Sequence, residues 1–164
     1  MSQLLDAIAG VPNACEPLPG LVAGGQPQPQ HITNLKRAGC EVVLDVREAM
    51  EPRPVRVPDD VVAAGLEFIN IPVGHSRGSD ATLARIRETV KQLVDKQRKA
   101  FFYCSSGNRV GATLIPYLML DQGFEQEDAV NTAMRCGMRS AELMEWALDY
   151  VNREQERGTR KGNG

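Results

Sequence analysis

Cys104 and Arg109 bracket four small or polar residues in the stretch "YCSSGNRVGA", residues 103 to 112, directly after the apolar run "KAFFYC". A thiol and a guanidinium at the end of a buried strand, separated by Ser105, Ser106, Gly107 and Asn108, have the makings of an anion cradle. Small residues let backbone N–H groups turn inward. A helix starting at about Val110 adds the positive end of its dipole. Arg109 adds a permanent charge with forked donors. The first anion such a loop stabilises is the thiolate of Cys104 itself, which makes it a nucleophile at neutral pH. The plainer alternative is an inert buried cysteine with Arg109 in a surface pair. The pattern Cys-x-x-Gly-x-Arg between an apolar strand and a helix favours the nucleophile. Ser105, Ser106, Gly107, Asn108 and Val110 are then the expected substrate-binding set.

The elements that must hold this loop can be read from periodicity. "GLVAGGQP" reads as a short strand with a Gly-Pro turn. "PQPQHITNLKRAG" reads as a helix with Pro29 near its start, an Ile32/Leu35 stripe and Gly39 at its end. "EVVLDV" (41–46) is β-branched and bounded by turn signals, hence a strand. The Pro-rich stretch "REAMEPRPVRVPDD" reads as a surface loop, and a short helix runs toward Gly65. "LEFINIPV" is a further strand. Residues 81–97 place Leu83, Ile86, Val90, Leu93 and Val94 on one helical face. "KAFFYC" is apolar throughout, as a strand covered on both sides must be. A helix bent at Pro116 and two more helices complete the chain. Strands alternating with helices imply an α/β fold: a single three-layer domain with a mostly parallel central sheet of about four strands flanked by helices. Residues 1–20 read as an N-terminal extension, 21–154 as the domain and 155–164 as a flexible basic tail. The expected site lies beyond the carboxyl ends of the strands, where Cys104 falls.

The bulk composition excludes several classes of function. The 164 residues are 42% hydrophobic and 24% charged, a globular balance with room for a core. A net charge of −2 exerts no general pull on nucleic acid or membrane, so neither is an expected partner and any anion site must be built locally. No apolar run approaches a bilayer span, and the first twenty residues lack the pattern of a secretory signal, so the expected location is cytoplasmic. Cys15, Cys40, Cys104 and Cys136 show no paired spacing and are expected to be reduced there. With only His31 and His75 to add, no metal or cofactor is expected.

"AGGQPQPQHITNLKRAGCEVVLDVR", "GLEFINIPV" and "FFYCSSGNRVGA", taken in order, resemble the phosphatase-like domain of the beta-lactamase-hydrolase-like proteins, a branch of the tyrosine and dual-specificity phosphatase fold. The resemblance covers about residues 21 to 125. It implies a protein-tyrosine-phosphatase-like fold, with Cys104 and Arg109 in its active loop, and a small anionic substrate or phosphoprotein as partner. Three departures from the ordinary phosphatase pattern stand out. Four residues separate Cys104 from Arg109 instead of five, as is typical of this branch, and the tighter ring has fewer N–H groups for the equatorial oxygens of a phosphoryl group. Val110 stands where a hydroxyl residue usually supports the departing thiolate, with Ser105 or Ser106 as substitutes. No aspartate occupies the usual general-acid place; His75 and Asp80 are the candidates, against plainer readings as a solvated loop histidine and a helix N-cap.

The four-residue loop and "VVLDVRE" also resemble rhodanese-type sulfurtransferases, in which a Cys104 persulfide would need no general acid. The expected activity is therefore hydrolysis of phosphate monoesters through a Cys104 phosphocysteine. Sulfur transfer is the rival, and a non-catalytic anion-binding module is a third reading that the intact nucleophile argues against. Asp45 and Arg47 read as a pair organising their own loop, Gln26 and Pro27 as a turn. Cys40 and Cys136 read as buried structural cysteines, with a resolving thiol for oxidised Cys104 as the alternative.

Overall fold

The apolar runs become the middle of a sheet. In the computed structural model, which describes residues 2–52 and 54–162, β2 (Leu21–Gly24), β3 (Val42–Asp45) and β5 (Ala100–Tyr103) are buried at every residue. They lie parallel, with β4 (Glu67–Asn70) beside β3 and β1 (Cys15–Leu18) antiparallel on the far edge, in the order β1-β2-β5-β3-β4. The sheet thus has five strands, one more than the sequence led us to expect. The addition comes from residues 1–20, which are part of the domain: β1 pairs with β2, and Leu4, Ala7 and Ile8 of the first helical stretch are buried.

Helices α1 (Gln3–Ala7), α2 (Pro29–Arg37) and α3 (Asp59–Ala63) cover one face, where Ile8, Ile32, Leu35 and Val61 meet Val22, Val43 and Phe101. Helices α4 (Asp80–Asp95), α5 (Asn108–Leu120), α6 (Gln126–Arg135) and α7 (Ala141–Gly162) cover the other, where Leu83, Ile86 and Val90 meet Ala23, Leu44 and Phe102. The alternation of faces along β2, β3 and β5 produces these two cores, as a period of two requires. Of the tail expected at 155–164, residues 163 and 164 lie outside the described residues, and the rest continues α7 to Gly162. Among the described residues no helix is long and apolar enough to cross a membrane.

Register decides where the site sits. Gly24, Tyr103 and Asp45 are level across β2, β5 and β3, so Gly25, Cys104 and Val46 emerge together at one edge. Helix α5 leaves that edge through the middle of the helical layer, buried at every residue from Arg109 to Leu118. This is why its sequence is apolar all round and not striped.

The cysteines depart from expectation. Cys15 and Cys136, 121 residues apart, form a disulfide with a Cα–Cα separation of 5.6 Å, while Cys40 and Cys104 are free. Edge strand β1 runs beside the end of α6, a proximity that no sequence spacing announces.

Candidate active site

The loop after β5 closes on its own sulfur. Cys104 is fully buried, and the Gly107 N–H donates to its Sγ at 3.1 Å. That N–H can point inward because Gly107 is left-handed, at φ 98°, and serves as the N-cap residue of α5. A Cβ on Gly107 would lie 2.0 Å from the Cys136 carbonyl oxygen, so the position is open only to glycine. The helix starts at Asn108, two residues earlier than expected, which brings its first turn directly against the loop.

Arg109 is 1% exposed, and its side chain donates four hydrogen bonds. Its two terminal nitrogens each donate to one carboxylate oxygen of Glu51 at 2.7 Å. They donate further to the Val73 carbonyl at 3.0 Å and to Ser105 Oγ at 3.3 Å. The hydrogen bonds from Arg109 push the Glu51 carboxyl down to about 2, against the burial that acts the other way. Burial works against the Arg109 charge, but the bond to Glu51 and the neighbouring Cys104 sulfur outweigh it and hold the guanidinium above its ordinary range. Glu51 belongs to the Pro-rich loop read as surface. Only 15% of it is exposed, and sequence reasoning missed it as a site residue. Its only sequence signal is an acidic residue in the loop after β3, one of several.

That loop is held at its root by a buried polar network. Asp45 Oδ1 accepts from Arg47 N–H at 2.8 Å and from its Nε at 3.3 Å. The Tyr103 hydroxyl donates to Asp45 Oδ2 and accepts from Arg47. Burial, and then the Asp45 charge, push the Tyr103 hydroxyl upward, so it stays a donor. Arg47 also donates to Pro52 O at 2.9 Å and to Gln26 Oε1, fixing the loop one residue from Glu51. Arg47 is therefore committed to organising its loop and not to the crevice.

The remaining candidates divide. Ser105 and Ser106 are exposed at the mouth. Ser105 Oγ is on Arg109, and Ser106 Oγ accepts from the Asn108 N–H at 3.4 Å, so neither hydroxyl is bonded to the Cys104 sulfur. Gly107, expected in the substrate-binding set, donates its N–H to that sulfur. The Asn108 side chain faces away and accepts from the N–H groups of Arg139 and Ser140 at 2.7 and 3.1 Å. Val110 is fully buried in the core, so its side chain backs the loop and does not line it. His75 is 65% exposed with Nε2 4.0 Å from Glu51 Oε1, which places it beside the Arg109 pair. Asp80, by contrast, opens α4 and binds Arg153 through both oxygens at 2.6 and 2.9 Å. Gln26 is closer to the site than a turn role suggests: its N–H donates to the Ser105 carbonyl at 3.0 Å. Burial pushes the Cys40 thiol up to about 11, and Cys136 is in the disulfide, so neither is available as a resolving thiol here.

No protein-family model matches the sequence, and no curated protein matches it. Solved structures do. The DUF442 protein of Shewanella putrefaciens CN-32 superposes with a TM-score of 0.76 at 17% identity, over 91% of this chain and 97% of its own. Tk-PTP in its active form gives 0.76 at 20% identity, over 87% and 98%. Pseudomonas aeruginosa TpbA, solved as a cysteine-to-serine variant with phosphotyrosine, gives 0.66 at 18% identity, over 85% and 82%. The fold is that of these phosphatases. At such identities the likeness establishes architecture alone, and the chemistry rests on the loop just described.

Proposed function

We propose that the protein is a cysteine-dependent phosphatase hydrolysing phosphate monoesters, phosphotyrosine or another aryl phosphate among them. The observation that carries this reading is the joint placement of Cys104 and Arg109. The nucleophile accepts the Gly107 N–H, and four residues on, the guanidinium is aimed by Glu51 and Val73 with its Ser105 contact as the weakest bond. A phosphoryl oxygen replaces Ser105 Oγ on that nitrogen. Nε–H, which takes no part in those four bonds, completes a two-point grip.

Cys104 Sγ attacks phosphorus, and the bond to the leaving oxygen breaks with its electron pair going to that oxygen. His75 supplies the proton from the exposed side of the site. Water then attacks the phosphocysteine, His75 takes its proton, and the thiolate departs onto the Gly107 N–H. This N–H supports the departing sulfur where Val110 cannot. The short loop supports a kinship with the phosphatase-like domain of the beta-lactamase-hydrolase-like proteins. A small phosphomonoester or a phosphoprotein is the substrate. The Cys15–Cys136 disulfide favours an oxidising compartment over the cytoplasm expected from the sequence.

The test is phosphate release from an aryl phosphate by the wild type and by Cys104→Ser, beside thiocyanate formation from thiosulfate and cyanide. Phosphate release that depends on Cys104 supports the proposal. Cys104-dependent thiocyanate with no phosphate release would make the protein a sulfurtransferase on this fold.

A further inference from the structure

We infer that the Cys15–Cys136 disulfide positions the catalytic loop, so that a dithiol reductant acting on it slows the chemistry at Cys104 while leaving Cys104 intact. The activity arm of this inference rests on the phosphatase reading; the geometry does not.

Two chain segments hold Ser105, Ser106 and Gly107. From the first, Asn13 Nδ2 donates to the Ser106 carbonyl at 2.8 Å. Gly25, held by a 2.8 Å bond from its N–H to Pro12 O, sits so close that a Cβ there would lie 2.7 Å from the Ser105 carbonyl oxygen. From the second, the Cys136 carbonyl fills the space beside Gly107, and a Cβ on Gly137 would lie 2.7 Å from the Ser106 carbonyl oxygen and 2.9 Å from Asn13 Nδ2, so the two segments meet at that carbonyl. The disulfide joins these jaws two residues from Asn13 and one from Gly137. Among the described residues no hydrogen bond links 11–15 directly to 134–140, so beside the packing of Gly137 on Asn13 the disulfide is the covalent tie between them. Asn13 itself is held at φ 55°, a left-handed conformation that needs its surroundings to maintain it. The N–H that reaches the Cys104 sulfur belongs to Gly107, the residue seated against Cys136. Opening the jaws therefore acts on the donor of the nucleophile itself.

Cys136 is fully buried and Cys15 half-buried, so a reductant's thiolate attacks the Cys15 sulfur. The S–S bond breaks, and Cys136 leaves as thiolate and takes up a proton. The second thiol of the reductant then displaces Cys15 as a thiol, and the reductant departs as its own disulfide, two electrons having passed to the protein. An oxidised dithiol reverses the sequence.

The experiment compares the oxidised wild-type chain, the Cys15→Ser/Cys136→Ser double variant and Asn13→Ala, each shown to be folded by circular dichroism. Peptide mapping without reductant must show a Cys15–Cys136 cross-link in the wild type; four free thiols would overturn the inference. Alkylation of Cys104 by iodoacetamide is followed on its own peptide from pH 4 to 9, because the shape of that profile is independent of how exposed the sulfur becomes. Arg109, Glu51 and His75, the charged and titratable groups at the site, are the same in all three proteins. A hydrogen bond to a charged group is worth about tenfold or more in the equilibrium it biases. The double variant's alkylation profile is therefore expected to differ from the wild type's, with kcat on an aryl phosphate falling about tenfold. Asn13→Ala, which keeps the disulfide, moves both in the same direction by less. Profiles and kcat matching the wild type in a folded double variant, with only its melting temperature lowered, would reduce the disulfide to a stabiliser and sink the inference. If the double variant does not fold, Asn13→Ala decides: no change in either measurement overturns it. If the profile moves but no form releases phosphate, the phosphatase reading fails and the positioning role stands.

Discussion

The ion pair between Glu51 and Arg109 can be tested apart from any activity. Each tenfold change in proton affinity is worth about 1.36 kcal/mol. Lowering the Glu51 carboxyl from an ordinary 4.5 to about 2 therefore corresponds to roughly 3 kcal/mol of folding stability at neutral pH. With only 15% of Glu51 and 1% of Arg109 exposed, solvent screens the pair little. The folded value lies below the unfolded one, so this stability is fully present above pH 4.5 and is lost as pH falls toward 2. At pH 3 about 1 of the 3 kcal/mol remains. In Glu51→Gln the side chain cannot ionise and this acid-labile part is missing. Urea unfolding of both proteins at pH 6 and pH 3, disulfide intact, should show the wild type ahead by about 3 kcal/mol at pH 6 and by about 1 at pH 3. A closing gap of about 2 kcal/mol is roughly a 1 M change in urea midpoint for a domain of this size. Every other carboxylate titrates in both proteins and cancels. An equal gap at the two pH values would mean that Glu51 does not hold Arg109 as an ion pair in solution, and the account of how the guanidinium is aimed would fall with it.

Arg109→Lys should lower kcat/KM on aryl phosphates by about a hundredfold or more, because an ammonium cannot keep Glu51 and also grip two phosphoryl oxygens; steady-state kinetics on the folded variant checks this. His75→Ala should cost about a hundredfold on alkyl phosphates but far less on p-nitrophenyl phosphate, whose leaving oxygen needs little protonation, whereas Asp80→Asn should stay near the wild type on both; equal losses on the two substrates would remove His75 as the acid. Gly107→Ala should lose at least about 2 kcal/mol in urea unfolding, since the left-handed backbone and the 2.0 Å approach to Cys136 O both refuse a Cβ; a variant as stable as the wild type would contradict the loop geometry.

What was legible in the sequence follows how local each signal is. Leu83, Ile86, Val90 and Leu93 announced α4 because a stripe is written within one helix, and all four are buried. The apolar runs "EVVLDV" and "KAFFYC" announced β3 and β5, and the short loop after β5 marked Cys104 and Arg109 as candidates. β1 was missed because "CEPL" has neither alternation nor β-branching; it is a strand only because β2 offers it an edge. Glu51 and Asn13 act on residues 58 and 93 positions away, and nothing in their own neighbourhoods distinguishes them from ordinary loop polar groups.

The disulfide is the instructive case. Reasoning from an expected compartment to the state of the thiols ran against the fold, which brings β1 beside the end of α6 whatever the surroundings. The same contact explains why Gly107 and Gly137 must be glycines: the loop that carries Cys104 is walled by the Cys136 carbonyl at Gly107 and by Asn13 at Ser106. A tight Cys-x4-Arg ring has few N–H groups of its own, and one of them, on Gly107, must serve the sulfur. Such a ring gains more than a longer one would from being held rigid at both flanks. The short loop, which looked from sequence like a deficit of donors, is accordingly paired with an unusually confined setting. The two features are best understood as one arrangement, in which confinement supplies the alignment that ring size does not.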